Sequence, residues 1–371
     1  MTILKPRVAI VTNIPAPYRI PIYQRLATML GNDRFHVIFC SEKEANREWV
    51  IDQSHFSFTF LKQNYIAWKG RYIHYNLDIL KTLKQLDPEV VITTGFNPTH
   101  LLAFAYALFY NKAHIPMTDG TLASEQKLSA LHRTVRRIIY RFSSAFIGAS
   151  VGALRLYNSY GINDKQFFQS HLCANNAAFS PIADNKRYFD LMFSGRFASE
   201  KNPLFALDVA AGVAKALNRK VSILMLGSGP LLSQAKDYAA TLAPQVEAVF
   251  PGFMQQSELP ELYCSSKVFL FPSSWDPWGV VANEACAAGQ AVIVSPHAGV
   301  ANELIVHDEN GYVLELKLAL WVAHTIDLLS NENLLEQFSK ASLLKVQAYS
   351  YAAAAQGIID AVFAAEKKLS S

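Results

Sequence analysis

Residues 267–295 read KVFLFPSSWDPWGVVANEACAAGQAVIVS, a succession of strand, helix and strand. An apolar run at 267–273 is followed by a helix-length segment at 279–288 and by a second short apolar run at 291–295. Continuous apolar strands are typical of a parallel sheet buried on both faces, and parallel neighbours need a crossover helix between them. The stretch therefore predicts a βαβ unit.

The same alternation runs through most of the chain. Short apolar runs bounded by turn residues predict strands in two groups, 8–13, 36–40, 89–95, 115–120 and 145–150, then 189–195, 221–227, 246–252, 267–273 and 291–295. In the second group, helices are predicted near 203–217, 230–241, 258–264 and 279–288. This alternation of strands and helices predicts an α/β protein with two doubly wound parallel sheets.

The predicted domain boundaries follow from an interruption in this alternation of strands and helices. Residues 173–186, CANNAAFSPIADNK, are rich in Asn, Ala and Pro and predict a linker. We therefore expect a Rossmann-like domain at 1–172 and a second at 187–350. The final helical segment, 351–371, is expected to cross back to the first domain.

Composition excludes several classes of protein. The chain has 371 residues, 51% of them hydrophobic, and a formal charge of only +4, so nucleic acid is not the expected partner. Cys40, Cys173, Cys264 and Cys286 are scattered without metal-ligand spacing, which suits reduced thiols in the cytoplasm and predicts no metal site. The most apolar segment, 101–110, is too short to span a bilayer.

One charged loop follows the first strand of the second group. In SGRFASEKNP, 194–203, Arg196 and Lys201 lie beside a helix that Asn202 can cap and Pro203 can open. Two cations at a helix start favour an anion site, although solvated loop cations are the alternative. The glycine turn LGSGP, 226–230, allows close approach of a ligand to backbone, but it lacks the third glycine of a dinucleotide fingerprint.

A second loop carries two carboxylates. Asp276 precedes a helix predicted to begin at Gly279, Val280 and Val281, and Glu284 lies one turn inside that helix. The carboxyl ends of parallel strands meet at one edge of a sheet, so both loops are expected to share it. Such an edge can hold a phosphate together with polyol hydroxyls.

These motifs carry a family resemblance. SGRFASEKNP, LGSGP, PGFM, FPSSWDPWGVVANEACAAGQAVIVSP and AGVANELIVHDENGYVLE, in this order, resemble the donor half of retaining GT-B glycosyltransferases of family 4, the bacterial polysaccharide and lipopolysaccharide type of glycosyl transferase group 1. The resemblance covers residues 187–315. VTNIPAPYRIPIYQRLA, 11–27, is similar to the opening of a subset of bacterial members. The implied fold is GT-B, two Rossmann-like domains facing a central cleft, with the acceptor side in 1–172 and the nucleotide-sugar donor side in 187–350.

The resemblance also implies roles for individual residues. Arg196 and Lys201 would bind the diphosphate of a nucleotide sugar, Glu284 the ribose hydroxyls and Asp276 the sugar hydroxyls. Asp119 takes the position of a histidine in many members, and a helix-cap role is its alternative. The further donor contacts implied are Gly195, Gly229, Phe253, Ser273, Gly279, Val280 and Val281. Arg19 would contribute to the phosphate site or the acceptor site, and bracing of its loop is the alternative.

The sequence departs from the family at two other points. Asp276 stands where members commonly have Glu, which leaves the donor sugar open. Pro15, Ala16 and Pro17 replace a glycine pair that approaches the donor phosphates in many members.

The implied reaction is hexosyltransferase-type transfer from a nucleoside diphosphate sugar, with retention of anomeric configuration by front-face substitution. No Asp-x-Asp motif occurs in the chain, so no metal or other cofactor is expected, and the two cations would replace the ion. A GT-B sugar-nucleotide epimerase and a non-catalytic nucleotide-sugar binding protein remain as alternatives.

The expected acceptor is a saccharide or a lipid-linked saccharide. In residues 126–142, Lys127, Arg133, Arg136, Arg137 and Arg141 crowd one side of a helix, and apolar residues recur on the other, at Leu128, Leu131, Val135, Ile138 and Phe142. This helix either lies on the anionic inner face of the membrane or presents an ordinary solvated basic face. The protein is accordingly expected in the cytoplasm, peripherally attached to the membrane in the first case.

Overall fold

The computed structural model describes residues 5–44, 55–68, 71–126, 128–181, 187–252 and 254–369. The chain divides into two compact units, Met1–Leu172 with Tyr351–Ser371, and Cys173–Ser350.

The first unit is built around a parallel sheet. Its strands are β1 (Val8–Thr12), β2 (Phe35–Phe39), β3 (Ser57–Phe60), β4 (Tyr65–Trp68), β5 (Arg71–His74), β6 (Val90–Thr93), β7 (Ala113–Thr118), β8 (Phe146–Gly148) and β9 (Phe167–Gln169). Its helices are α1 (Ile20–Leu30), α2 (Ile79–Leu86), α3 (Pro98–Phe109), α4 (Leu122–Gln126), α5 (Ala130–Arg141), α6 (Val151–Asn158) and, from the C-terminal segment, α14 (Tyr351–Leu369). Within the described residues the strand order is β3-β2-β1-β6-β7-β8-β9, all parallel, and β4 and β5 form a separate antiparallel hairpin.

The C-terminal helix belongs to this first unit. α14 packs against α1, β7 and β9. Gly357 allows the close approach, because a Cβ there would collide with the carbonyl oxygen of Gln169 at the end of β9.

The second unit holds another parallel sheet. Its strands are β10 (Phe189–Ser194), β11 (Val221–Leu226), β12 (Val246–Gly252), β13 (Ser266–Phe271), β14 (Ala291–Val294) and β15 (Gly311–Val313). Its helices are α7 (Asn176–Phe179), α8 (Pro203–Leu217), α9 (Leu232–Leu242), α10 (Leu259–Cys264), α11 (Val280–Ala287), α12 (Leu318–Ser330) and α13 (Glu332–Lys345). The strand order over the described residues is β12-β11-β10-β13-β14-β15, again all parallel.

The strand order places the functional loops of the second unit. The chain winds outward from β10 through β11 and β12, then returns to the other side of β10 with β13. Ligands of doubly wound sheets bind at this reversal, beyond the carboxyl ends of the two central strands. The loops after β10 and β13 flank that point.

The predicted fold is confirmed: the chain has two Rossmann-like α/β units with parallel sheets. The segment predicted as a linker, 173–186, differs from the prediction. Its described residues, 173–181, belong to the second unit and include α7. Phe179 is buried there with its ring edge-on to Tyr263 at 5.3 Å, so this segment is part of a core.

Candidate functional site

The loops after β10 and β11 are interlocked through their backbones. The Phe197 amide donates to the Ser228 carbonyl at 2.8 Å. Gly229 has φ +149, and a Cβ on it would lie 2.6 Å from the Phe197 carbonyl oxygen; a Cβ on Gly227 would collide with the carbonyl oxygen of Gly195. These glycines therefore serve the close packing of two loops, and the predicted donor contacts of Gly195 and Gly229 stay predictions.

The loop after β10 is also tied to the end of β13. Asn202 adopts a left-handed conformation with φ 51, and its side chain donates to the Pro272 carbonyl at 2.8 Å. The predicted helix-capping role is therefore wrong, because the amide group is used to join two loops and makes no capping bond to α8. The Ser274 amide donates to the Glu200 carbonyl at 2.8 Å and adds a second tie.

An ion pair joins Lys201 to Asp276 across these tied loops. The other oxygen of Asp276 accepts from the Trp278 amide at 3.0 Å, and both charged side chains are largely buried, 19% and 14% exposed. Two residues that are 75 positions apart are thus held in contact at the carboxyl edge of the sheet. The Asp276 carboxylate thus neutralises the charge of Lys201.

Arg196 does not join this pair. Its guanidinium contacts Glu200, four residues on, and its side chain is 64% exposed. An exposed pair of this kind contributes little to stability, so the arginine can turn toward a ligand at small cost. Glu200 is a member of the loop that the sequence analysis did not single out.

The start of α11 lies beside Asp276. Gly279 precedes the helix with φ +107, and a Cβ there would lie 2.7 Å from Cζ of Phe271, so only glycine suits this turn. Trp278 is fully buried, and its indole N–H donates to the Asn283 side chain at 2.8 Å. The first amides of α11, those of Val280 and Val281, have no partners inside the helix by its geometry.

Glu284 is a buried carboxylate on the second turn of α11. It is 5% exposed and accepts from the Gln256 side chain at 3.1 Å. Burial raises the pKa of Glu284, and the nearby Tyr263 hydroxyl and Gln256 amide offset part of that rise. A buried acid of raised pKa at the carboxyl edge of a sheet is a candidate for ligand contact. Gln256 and Tyr263 were missed because nothing in their local sequence marks them.

Ser273 is the residue at the end of β13 that was predicted to contact the donor. Its side chain is fully buried, and its hydroxyl has no hydrogen-bond partner within the described part of the chain. Its carbonyl accepts from the Ser295 hydroxyl. Phe253, another predicted contact, lies outside the described residues.

The first unit brings together two other predicted site residues. The Arg19 guanidinium donates to the Asp119 carboxylate at 2.8 Å, across 100 positions of sequence. Arg19 stands at the start of α1 and Asp119 directly follows β7, and both line a cavity at the carboxyl edge of the sheet. The alternative cap role of Asp119 is not what its carboxylate does here.

The surface helix α5 packs in an unexpected orientation. Ile139 and Tyr140 are its buried side chains. Part of the apolar stripe identified from sequence is turned outward: Leu131 is 71% exposed, and Ile138 and Phe142 are each 51% exposed, whereas Val135 packs against the core. α5 begins after its cap at Ser129, and Lys127 lies outside the described residues.

Two further findings concern the described residues as a whole. No group of three or more His, Cys, Asp or Glu side chains is arranged to hold a metal ion among them. Nor does any helix in this part of the chain combine the length and apolar character needed to cross a membrane.

The second unit matches a known protein family. Residues 175–344 match the family described as "Glycosyl transferases group 1". An uncharacterized glycosyltransferase of Methanocaldococcus jannaschii is 33% identical over 121 residues, which is 33% of this chain and 30% of that protein. Mannosylfructose-phosphate synthase of Agrobacterium fabrum is 28% identical over 33% of this chain and 25% of that enzyme. These matches span 30% and 25% of the length of the two curated relatives.

Solved structures extend the likeness to the whole fold. HepE from Anabaena, in complex with UDP and glucose, superposes with a TM-score of 0.74 at 13% identity, over 96% of this chain and 98% of that one. A glycosyltransferase from Rickettsia africae gives a TM-score of 0.75 at 15% identity, over 99% of both chains. The fold is therefore that of GT-B glycosyltransferases.

Proposed function

We propose that this chain, which carries a glycosyl transferases group 1 region at 175–344, transfers a sugar from a nucleoside diphosphate sugar to a saccharide or lipid-linked saccharide. The observation that carries the proposal is the grouping of Lys201, Asp276 and the start of α11 at the strand-order reversal of the second sheet. Glu284 lies on the same helix. A diphosphate needs cations and amides, and a diol needs a carboxylate; these loops offer both.

The Lys201–Asp276 ion pair gives such a site a way to accept a donor. A diphosphate entering beside α11 competes with Asp276 for Lys201, and the carboxylate is released to accept hydrogen bonds from sugar hydroxyls. Arg196 leaves Glu200 with little loss because that pair is exposed. The cations then offset the charge that grows on the departing nucleoside diphosphate.

The remaining donor contacts follow the same scheme. Glu284 accepts from the ribose diol, and the Val280 and Val281 amides face a phosphate or the sugar. The Ser273 hydroxyl, which is buried without a hydrogen-bond partner among the described residues, is a further group that we expect the donor to contact. The predicted contact of the Phe253 backbone with the base stays a prediction from the family resemblance.

We further propose retention of anomeric configuration, the chemistry of family 4, and transfer without a metal ion. The support is electrostatic: two cations flank the place where a divalent ion would otherwise neutralise the diphosphate. UDP is the nucleotide to test first, because HepE of the same fold was solved with UDP and glucose.

The experiment that tests this proposal is a calorimetric titration with UDP, GDP and ADP, followed by product analysis with the matching sugar nucleotides. We expect one nucleotide to bind in the presence of EDTA, and Lys201→Ala to weaken that binding. A glycosylated product supports transfer, and an epimerised donor would indicate the epimerase instead. Full affinity of the variant for the bound nucleotide would overturn the site assignment.

We also propose that α5 attaches the protein to an anionic membrane, in keeping with a lipid-linked acceptor and polysaccharide biosynthesis on the cytoplasmic face. Its exposed apolar side chains lie beside exposed arginines at 133, 137 and 141. Apolar insertion and attraction to anionic lipid act together on such a surface.

Liposome co-sedimentation tests the membrane proposal with a matched control. Replacing Leu131 and Ile138 by Ser should reduce binding to vesicles that contain phosphatidylglycerol. Leu344→Ser, which alters a leucine of the second unit that is 70% exposed, should leave binding unchanged. Equal binding of the α5 variant and the wild type would remove the membrane role.

A further inference from the structure

A small polar cavity opens at the carboxyl edge of the first sheet. Its volume is about 200 Å³, and its lining comes from segments that follow four different strands. Asn13 follows β1, Glu44 follows β2, Thr94 follows β6 and Asp119 follows β7. Drug-sized ligands occupy pockets of about 300–1,000 Å³, so this cavity suits a single monosaccharide ring.

Glu44 is the acid in this lining that no motif had marked. It is 9% exposed, and its carboxylate contacts Nε2 of His74 at 3.1 Å. His74 is completely buried. An ionised carboxylate has about four acceptor positions on its two oxygens, so the imidazole leaves acceptor capacity for a ligand. The buried ring meanwhile fixes the orientation of the carboxylate.

The amide of Asn13 is oriented by a similar contact. Its Oδ1 accepts from Nδ2 of Asn97 at 3.0 Å, and Oδ1 of Asn97 contacts Nδ1 of His100 at 2.6 Å. The remaining hydrogen-bonding group of the Asn13 side chain is its NH2 donor. The lining thus offers a carboxylate acceptor and an amide donor, both held by partners behind the cavity wall.

The charges of the lining restrict the ligand. Arg19 is already paired with Asp119, and Glu44 adds a second carboxylate. Arg19, Asp119 and Glu44 together give the lining a net charge of −1. A carboxylate or phosphate on the ligand would therefore have to displace Asp119 from Arg19 while it faces the second carboxylate, Glu44.

We propose that this cavity binds one neutral or amino-bearing sugar unit of the acceptor, that Glu44 accepts hydrogen bonds from its hydroxyls, and that acidic sugars are excluded. The proposal deepens the proposed function, since it names the class of acceptor. It differs from a donor site, which must meet two phosphates.

Ligand-observed NMR with simple glycosides tests the proposal on the full chain. The probes are methyl α-glucopyranoside, methyl glucosaminide and methyl glucuronide. The first two should give saturation-transfer signals with the wild type, and the glucuronide should give none. Glu44→Gln should weaken binding of the neutral glycoside by about tenfold, as expected when a charge-assisted hydrogen bond becomes a neutral one. Glu42→Gln, a change to an exposed carboxylate two residues away, should not.

Several results would overturn the proposal. Binding of the glucuronide as tight as that of the neutral glycoside would refute the charge argument, and this comparison needs no variant. Absence of binding by all three glycosides, or unchanged binding by a folded Glu44→Gln protein, would refute the site. A parallel UDP titration keeps the two proposals apart: loss of nucleotide binding counts against the transferase, whereas the glycoside result stands by itself.

Discussion

Replacement of Glu284 by Gln separates the binding role of this residue from its effect on stability. The change keeps the shape of the side chain and removes only its charge. The contact with Gln256, now 3.1 Å long, can persist because the glutamine carbonyl still accepts a hydrogen bond. Any loss of donor affinity is then a consequence of the lost charge.

The magnitude follows from the kind of hydrogen bond that is lost. A bond to a charged group contributes about 1.5–3 kcal/mol and a neutral one about 0.5–1.5 kcal/mol. The difference of about 1–2 kcal/mol corresponds to about 5- to 30-fold weaker binding of the nucleotide. Transfer should fall by at least the same factor.

The variant should bind the nucleotide more weakly, but its stability relative to the wild type should increase as pH rises. Burial raises the pKa of Glu284 above its ordinary value of 4.5. An acid with a higher pKa in the folded state stabilises the fold below the unfolded pKa, and that contribution is lost as pH rises through the folded pKa. Glutamine does not titrate. The free energy of unfolding of the variant, relative to the wild type, should therefore increase as pH rises above the ordinary glutamate pKa of 4.5.

Two measurements on the same samples check this reasoning. Calorimetry with the nucleotide found in the initial screen gives the affinity, and chemical unfolding across the pH range gives the stability. Unchanged affinity would show that Glu284 does not contact the ribose. A variant that loses stability relative to the wild type as pH rises would contradict the burial argument.

Three other changes test the geometry of the second unit. Lys201→Met leaves the Asp276 charge without its partner and should lower transfer by about 10²-fold or more; steady-state kinetics at saturating donor measures this, and a tenfold smaller effect would argue against a role at the diphosphate. Gly279→Ala forces a side chain into a positive-φ turn against a ring and should cost at least about 2 kcal/mol in urea unfolding; a neutral effect would mean that the turn can rearrange. Trp278→Phe removes the donor to Asn283 and should cost about 1–3 kcal/mol, and an unchanged melting temperature would show that water replaces the indole.

Most strands that were predicted from sequence are buried on both faces of their sheets; β12, an edge strand with alternating exposed residues, is the exception. β6 and β13, for instance, are almost completely buried, so their residues form continuous apolar runs that are visible without the structure. β3 was missed because its residues are only partly buried or exposed, and β9 is a short edge strand of intermediate burial. Neither strand has a hydrophobic pattern that distinguishes it from a loop.

The orientation of α5 shows a different limit of sequence reasoning. Its apolar stripe and its arginines were both identified, but helical periodicity does not say which face meets the sheet. The packing of Ile139 and Tyr140 decides it, and they lie outside the stripe. Exposure of Leu131 could only be learned from the tertiary structure.

The sequence alone determined the two doubly wound sheets and the loops that bear charge, since burial on both faces imprints a pattern on each strand separately. Only the tertiary structure decided which charges meet. Lys201 contacts Asp276 because β10 and β13 are neighbouring strands, whereas Arg19 contacts Asp119 although β6 separates β1 from β7, and Glu44 contacts His74 of the separate hairpin. Periodicity is a property of one segment, whereas these pairs depend on the order in which distant segments are assembled.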